Sequence, residues 1–286
     1  LASGLLLSGF MAGAALSGLG GWLADGHGWD YAHKAFGLIG IGYATIMLFL
    51  LRDPPAAEDR PAAADTLPPV GLGEAFRGLF TNRNYLLILV YNCVLGVVGW
   101  SVIGWMPTYM KEQFNLTQGA AGMYTTVYLN TAALLGLIIG GKWADRWSRT
   151  NERARLLVPI IGLCLAAPGV LLLTNAPTLT LALAGLVVYG LTRYFADANM
   201  MPILCLLVDP RYRATSWGIA SLFSTMVGGA GIYAGGLLRD AQVDISRIFQ
   251  FAAVNLVVSA LLLFFIYRRQ GRAAVSPLPT TAVPSR

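Results

Sequence analysis

Arg193 and Asp197 stand four residues apart in the apolar stretch GLVVYGLTRYFADANMMPILCLLVD (185–209). At that spacing two side chains share one helix face. The segment holding them, 178–208, exceeds the roughly 20 residues a membrane-crossing helix needs, and its midpoint falls near Arg193. A charge at that depth costs about 2.5–3.5 kcal/mol on insertion scales. It normally faces a protein interior or a wet cavity, where it marks a site or pathway. A guanidinium stays charged and offers a planar fork of donors that matches a carboxylate. A carboxyl can exchange a proton. The two residues therefore suit capture of an organic anion (Arg193) coupled to proton movement (Asp197). A self-neutralised structural ion pair is the plainer reading. The order Arg before Asp is the less favourable one on a helix, which suits a pair that separates.

Other polar side chains stand inside apolar segments. Asn92 and Asn130 lie near their segments' midpoints; each can bond a substrate or join two helices, the latter worth about 1 kcal/mol. Trp100 and Tyr189 suit an aromatic cavity wall or plain packing. The expected substrate-binding set is Arg193, Asn92, Trp100, Tyr189 and Asn130, with Asp197 for proton coupling. His27 and His33 fall in the first outer loop, away from the midplane. Cys93, Cys164 and Cys205 lie inside apolar segments without metal-ligand or C-x-x-C spacing. The glycine-rich run Gly37–Gly42 follows no strand, so it is not a nucleotide loop. No nucleophile elbow, metal spacing or P-loop is present. Neither an enzyme nor a cofactor is expected.

The elements that must position these residues are membrane helices. Charged residues make up 12% of the chain, where a soluble domain has roughly 25%. The hydrophobic fraction is 56% and the mean hydropathy +0.61. The expectation is an all-α polytopic membrane protein with eight spanning segments, near 2–24, 33–51, 84–108, 119–142, 154–174, 178–208, 213–238 and 246–267. The net charge of +6 comes from basic residues in short loops, so it speaks for orientation rather than nucleic acid. Arg52, Arg60, Arg77, Arg83, Lys142, Arg146, Arg149, Arg153, Arg155, Arg211, Arg213, Arg268, Arg269, Arg272 and Arg286 fall on one side. Only Lys34, Lys111, Arg239 and Arg247 fall on the other. The positive-inside rule makes the first side cytoplasmic, with both chain ends cytoplasmic and the protein in the inner membrane.

Between Asp53 and Pro69 prolines alternate with alanine and acids, the composition of a linker. After it Leu72, Phe76, Leu79 and Phe80 share a face of a short helix carrying Arg77, expected to lie along the inner interface. Gly20–Asp25 parallels Gly235–Asp240, and at the same offset Phe36 parallels Phe251. The first two helices thus look like a second copy of the last two. The expected division is 1–52, the last two helices of an N-terminal half; 53–83, a cytoplasmic linker with an interfacial helix; 84–268, a six-helix C-terminal half; and 269–286, a cytoplasmic tail. Parallel six-helix repeats characterise one large transporter class. The opening apolar helix, without a basic n-region or cleavage site, is not expected to be a signal peptide, and the chain reads as cut from something longer.

Gly140-Gly141-Lys142-Trp143-Ala144-Asp145-Arg146-Trp147-Ser148-Arg149 resembles the cytoplasmic loop signature of the major facilitator superfamily, departing from it at Trp147-Ser148. Asp209–Thr215 is similar to that family's loop between its tenth and eleventh helices. Trp105-Met106-Pro107-Thr108-Tyr109 is similar to bacterial organic-anion permeases of the anion:cation symporter group. The resemblance implies a major facilitator-like bundle in which this chain holds family helices five to twelve, with the N-terminal helices of the same protein missing. It implies that the third and sixth segments line a central cavity. It also implies that Asp145 approaches the cytoplasmic start of a neighbouring helix, where a carboxylate is stabilised, gating the pathway with Arg146 and Arg149. The function implied is secondary active transport of a small organic solute by alternating access, as an organic anion with a proton. The partners are that solute and the bilayer, with no nucleic acid. A non-transporting scaffold or sensor on the same fold is the alternative.

Overall fold

The structure, a computed structural model, describes residues 9–14, 23, 28–50, 71–151 and 153–273. Residues 9–14 are helical. The helices that follow are α1 (Trp29–Leu50), α2 (Leu72–Thr81), α3 (Arg83–Phe114), α4 (Gln118–Trp147), α5 (Ala154–Thr174), α6 (Leu179–Leu207), α7 (Arg213–Asp240) and α8 (Ile245–Ala273). A 3-10 turn, Pro210–Tyr212, joins α6 to α7. Among the described residues no strand occurs, and seven helices, α1 and α3 to α8, are long and apolar enough to cross a membrane. In a bilayer a helix satisfies its own backbone, which is why apolar runs of this length take that form. The first expected segment, 2–24, and the linker at 53–69 lie mostly or wholly outside the described residues.

Polar residues mark the helix ends. The Asn82 side chain accepts from the backbone N–H groups of Asn84 and Tyr85 and caps α3. Thr117 caps α4 and Thr178 caps α6 in the same way. Asn115, with φ 50°, closes α3 in the left-handed conformation. Three helices run past their expected ends: α4 reaches Trp147 rather than 142, α8 reaches Ala273 rather than 267, and α3 does not stop near 108 but continues through Pro107 to Phe114. Proline inside a membrane helix is tolerated where neighbouring groups make good the lost backbone bond. Here the turn after Pro107 is held by Tyr109, whose hydroxyl donates to the carbonyls of Leu173 and Thr174 on α5.

Two close-packed helix sets carry the bundle. α6 lies between α4 and α5, and α3 lies against α7 and α8. Glycine makes both contacts tight. A Cβ on Gly136 of α4 would stand 2.1 Å from the Leu191 carbonyl oxygen, and one on Gly162 of α5 would stand 2.4 Å from that of Thr192. Both positions flank Arg193. Among membrane helices, small residues are what permit backbones to approach so closely. Of the G-x-x-x-G steps, Gly136/Gly140 meets α6 and Gly231/Gly235 meets α3, whereas Gly9 and Gly13 have no atom in range. α1 leaves its apolar side chains exposed, with Ala32 its one buried residue.

Candidate functional site

Arg193 and Asp197 form an ion pair on one face of α6, Nη1 donating to Oδ2. The partners are unequally placed: the arginine side chain is 9% exposed and the aspartate 30%. The guanidinium lies over the Tyr194 ring, 4.9 Å from its centre, a cation–π arrangement. Tyr91 of α3 and Tyr189 of α6 are also within electrostatic reach. Opposite lies Gly99 of α3, where a Cβ would come 3.3 Å from Nη2. Two polar atoms here are buried without a hydrogen-bond partner, Nε of Arg193 and the Tyr91 hydroxyl. Buried polar groups are nearly always bonded, and each exception calls for an explanation. A guanidinium with only Nη1 engaged keeps donor capacity for a further acceptor. Met11 packs on Ala133, Leu137, Tyr194 and Ala198, beside the pair.

At the end of α4 the chain turns through residues 148–151. Asp145 Oδ1 lies 3.6 Å from Arg155 Nη2, in the first turn of α5. Lys142, Asp145, Arg146, Arg149 and Thr150 line a cavity of ≈ 610 Å³. Trp143 and Trp147 stack with ring centres 6.1 Å apart, and Trp143 meets the ring of Phe195 edge-on at 5.9 Å. Phe195 falls between the two charges in sequence but on the other face of α6, where it packs on Gly140 and Gly162. At the opposite end of the bundle Arg239 pairs with Glu112, tying α7 to α3. A second cavity of ≈ 700 Å³ opens there, lined among others by Tyr109, Glu112, Arg239 and Asp244. The Asp244 carboxyl is held below its ordinary range by hydrogen bonds from Ser246.

The family model of the Major Facilitator Superfamily matches residues 1–232. The chain belongs to that superfamily. An "MFS-type efflux pump" of Mycolicibacterium smegmatis is 24% identical over 79% of this chain and 51% of its own length. A "Probable sulfoacetate transporter" of Cupriavidus necator is 24% identical over 84% of the chain and 58% of its own length. A "Probable galactarate/D-glucarate transporter" of Escherichia coli is 22% identical over 62% and 45%. The chain thus spans about half the length of these curated relatives. In fold it resembles the crystal structure of a bacterial homolog to the human lysosomal transporter Spinster, inward-facing and unoccupied. The TM-score is 0.62 at 19% identity, covering 96% of this chain and 67% of that one. The superfamily is one of transporters and not of enzymes.

Within this superfamily bundle the expected site residues fall in three places. Tyr189 is buried beside Arg193 and Asp197. Asn92 and Trp100 lie along the contact between α3 and α7. The Asn92 side chain donates Nδ2 to the Ala220 carbonyl at 2.9 Å, while the Asn92 backbone carbonyl accepts from Ser224 Oγ at 3.0 Å. Trp100 fills the notch at Gly228, where a Cβ would stand 2.1 Å from its Cδ1. Asn130 donates to the Thr126 carbonyl of its own helix at 2.8 Å. Sequence reasoning passed over Tyr91 and Gly99. Tyr91 neighbours Asn92 in the chain and was open to the same midpoint argument. Gly99 carried no signal, since a glycine in a membrane helix is unremarked until its neighbour is known. Among the described residues no cluster of histidine, cysteine or acid suits a metal ion.

Proposed function

We propose that the protein is a secondary active transporter of a small organic anion, moving it with a proton by alternating access. The observation that carries this reading is the unequal burial of the α6 pair. The permanent cation is withdrawn and the proton-exchanging carboxylate is the more accessible partner. With Asp197 ionised, the pair is self-neutralised. Protonating Asp197 frees Nη1 beside the uncommitted Nε, and the fork then suits a substrate carboxylate. Proton and anion would travel together. Tyr189, and on α3 and α4 Trp100, Asn92 and Asn130, form the proposed surroundings of the substrate. Two relatives are described as transporters of small organic acids, in keeping with this chemistry.

In this reading residues 84–268 form one six-helix half, residues 1–52 are the last two helices of the other, and 53–83 link them. The tail, 269–286, and both chain ends lie in the cytoplasm of a cell whose inner membrane holds the protein. Asp145, Arg146 and Arg149 gate the pathway, with Asp145 stabilised at the start of a neighbouring helix. The efflux-pump relative supports a second reading in which the same pair exchanges a proton for an outgoing solute.

The test is Asp197→Asn in the intact transporter. Normal membrane abundance, retained anion exchange and lost accumulation under an imposed pH difference are expected. A mutant that still accumulates substrate under that pH difference removes the coupling role. Accumulation opposite to the proton gradient selects the exchange reading.

A further inference from the structure

α2 is a strut with two unlike sides. Ala75 and Leu79 turn inward and are buried. Gly78 receives the Tyr212 ring, which a Cβ would approach to 3.1 Å. At its end Asn82 caps α3 and also donates Nδ2 to the Leu207 carbonyl at 3.0 Å. The short helix is therefore pinned to the turn that joins α6 to α7. Its other side presents Phe76 and Phe80, 46% and 39% exposed, with rings stacked 6.0 Å apart. The apolar run of α3 begins at Tyr85, three residues past Asn82, so these rings stand at the depth of the bilayer's interface. A helix with aromatic residues on one face and basic residues beside them lies in that plane.

Charge says which lipid. Arg77 and Arg83 are exposed, and neither makes an ion pair among the described residues. The other nearby arginines are committed. Arg211 pairs with Asp209 at 3.2 Å, and Arg213 donates to the Cys205 carbonyl at 3.1 Å. Glu74, the acid of the same helix, stands one turn before Arg77. Glu74, Arg77, Gly78, Thr81, Asn82 and Tyr212 line a cleft of ≈ 420 Å³. Arg77, Arg83, Arg211 and Arg213 against Glu74 and Asp209 leave two positive charges in excess at this corner, beside two exposed rings.

We propose that α2 binds an anionic phospholipid, its phosphate held by Arg77 and Arg83 and its acyl chain against Phe76 and Phe80. Through the Gly78–Tyr212 and Asn82–Leu207 contacts the bound lipid steadies the α6–α7 turn. This stands apart from the transport reading and needs only that the chain spans a membrane.

The purified 286-residue chain, offered equal amounts of phosphatidylglycerol and phosphatidylcholine, is examined by native mass spectrometry. The wild type should retain phosphatidylglycerol in preference. Arg77→Gln with Arg83→Gln should cut that retention by about 25-fold, fivefold for each arginine at about 1 kcal/mol per basic side chain near an anionic surface. Phosphatidylcholine retention should not change, which also shows that the variant is folded. Phe76→Ser with Phe80→Ser should lower retention of both lipids. Hydrogen exchange over residues 207–213 should slow with phosphatidylglycerol in the wild type and not in the arginine variant. Equal retention of the two lipids by the wild type overturns the proposal, as does unchanged phosphatidylglycerol retention by the arginine variant. Full displacement by inorganic phosphate would make this a free-anion site, overturning the lipid as occupant. Exchange that ignores the lipid overturns the link to the turn.

Discussion

Two arginine–carboxylate pairs lie at different depths in this bundle. Arg193–Asp197 is on one helix, hemmed in by α3, α4 and α5. Arg239–Glu112 bridges two helix ends, with side chains 37% and 43% exposed. The chemistry is the same and the surroundings are not. An exposed pair gains little, about 0–1 kcal/mol, because water and salt compete for both charges. A buried pair has given up its hydration, and leaving one partner alone there is costly, about 3–5 kcal/mol. Depth in the bundle therefore separates a costly pair from a cheap one.

The largest effect should come from opening the inner pair's enclosure. Gly136→Leu drives a side chain into the Leu191 carbonyl and should separate α4 from α6. Overpacking of this kind costs about 1–3 kcal/mol, occasionally more. Thermal unfolding of the purified protein should show it, against Gly218→Leu, which meets nothing, as the reference. Equal melting of the two variants would mean that the close approach is not needed.

Next, the two arginines should answer the same conservative change differently. Arg193→Lys in the intact transporter should weaken anion binding by about 10–100-fold, the worth of one charge-assisted bond at about 1.5–3 kcal/mol. Arg239→Lys should leave binding as it is. Binding equal to wild type in the first variant would remove the planar fork from the mechanism.

Asp145 falls between these extremes. Asp145→Asn should slow uptake about fivefold, in line with about 1 kcal/mol for a carboxylate at a helix N-terminus, while membrane insertion stays intact. Unchanged uptake would reduce the loop to an orienting turn.

The outer clasp should matter least. Glu112→Gln should shift stability by less than about 1 kcal/mol, and the difference should vanish near 1 M salt, where screening acts within about 3 Å. A larger, salt-resistant loss would make the outer pair the equal of the inner one. Asp244 beside it sharpens the contrast through pH. Its carboxyl is held low in the folded state, so its contribution is present above the ordinary carboxylate pKa, about 3.9. That contribution is lost as pH falls through the lowered value. Asp244→Asn should therefore lower the melting temperature at neutral pH and flatten the acid limb of the stability profile, the two proteins converging in acid.

Part of the candidate site's arrangement was legible in the residues. The spacing of Arg193 and Asp197 placed them on one face, as observed. Asp145 with its basic neighbours stood out from the loop's charge pattern. Asn92 shows where such reading stops. A midpoint asparagine looks the same whether its amide faces a cavity or a neighbouring backbone, and only the approach of α7 gave it the Ala220 carbonyl.

What the sequence determined alone was the all-helical class and the placing of the apolar helices among the described residues. Long apolar runs satisfy their own backbone in a bilayer as helices, and polar caps such as Asn82, Thr117 and Thr178 mark their starts locally. Tertiary structure decided which face of each helix meets protein. A helix that is apolar all round has no polar stripe to say which side faces lipid, so burial waits on its neighbours. That is why the withdrawal of Arg193, the greater exposure of Asp197, and the place of Tyr91 and Gly99 around them became readable only once α3, α4 and α5 had closed on α6.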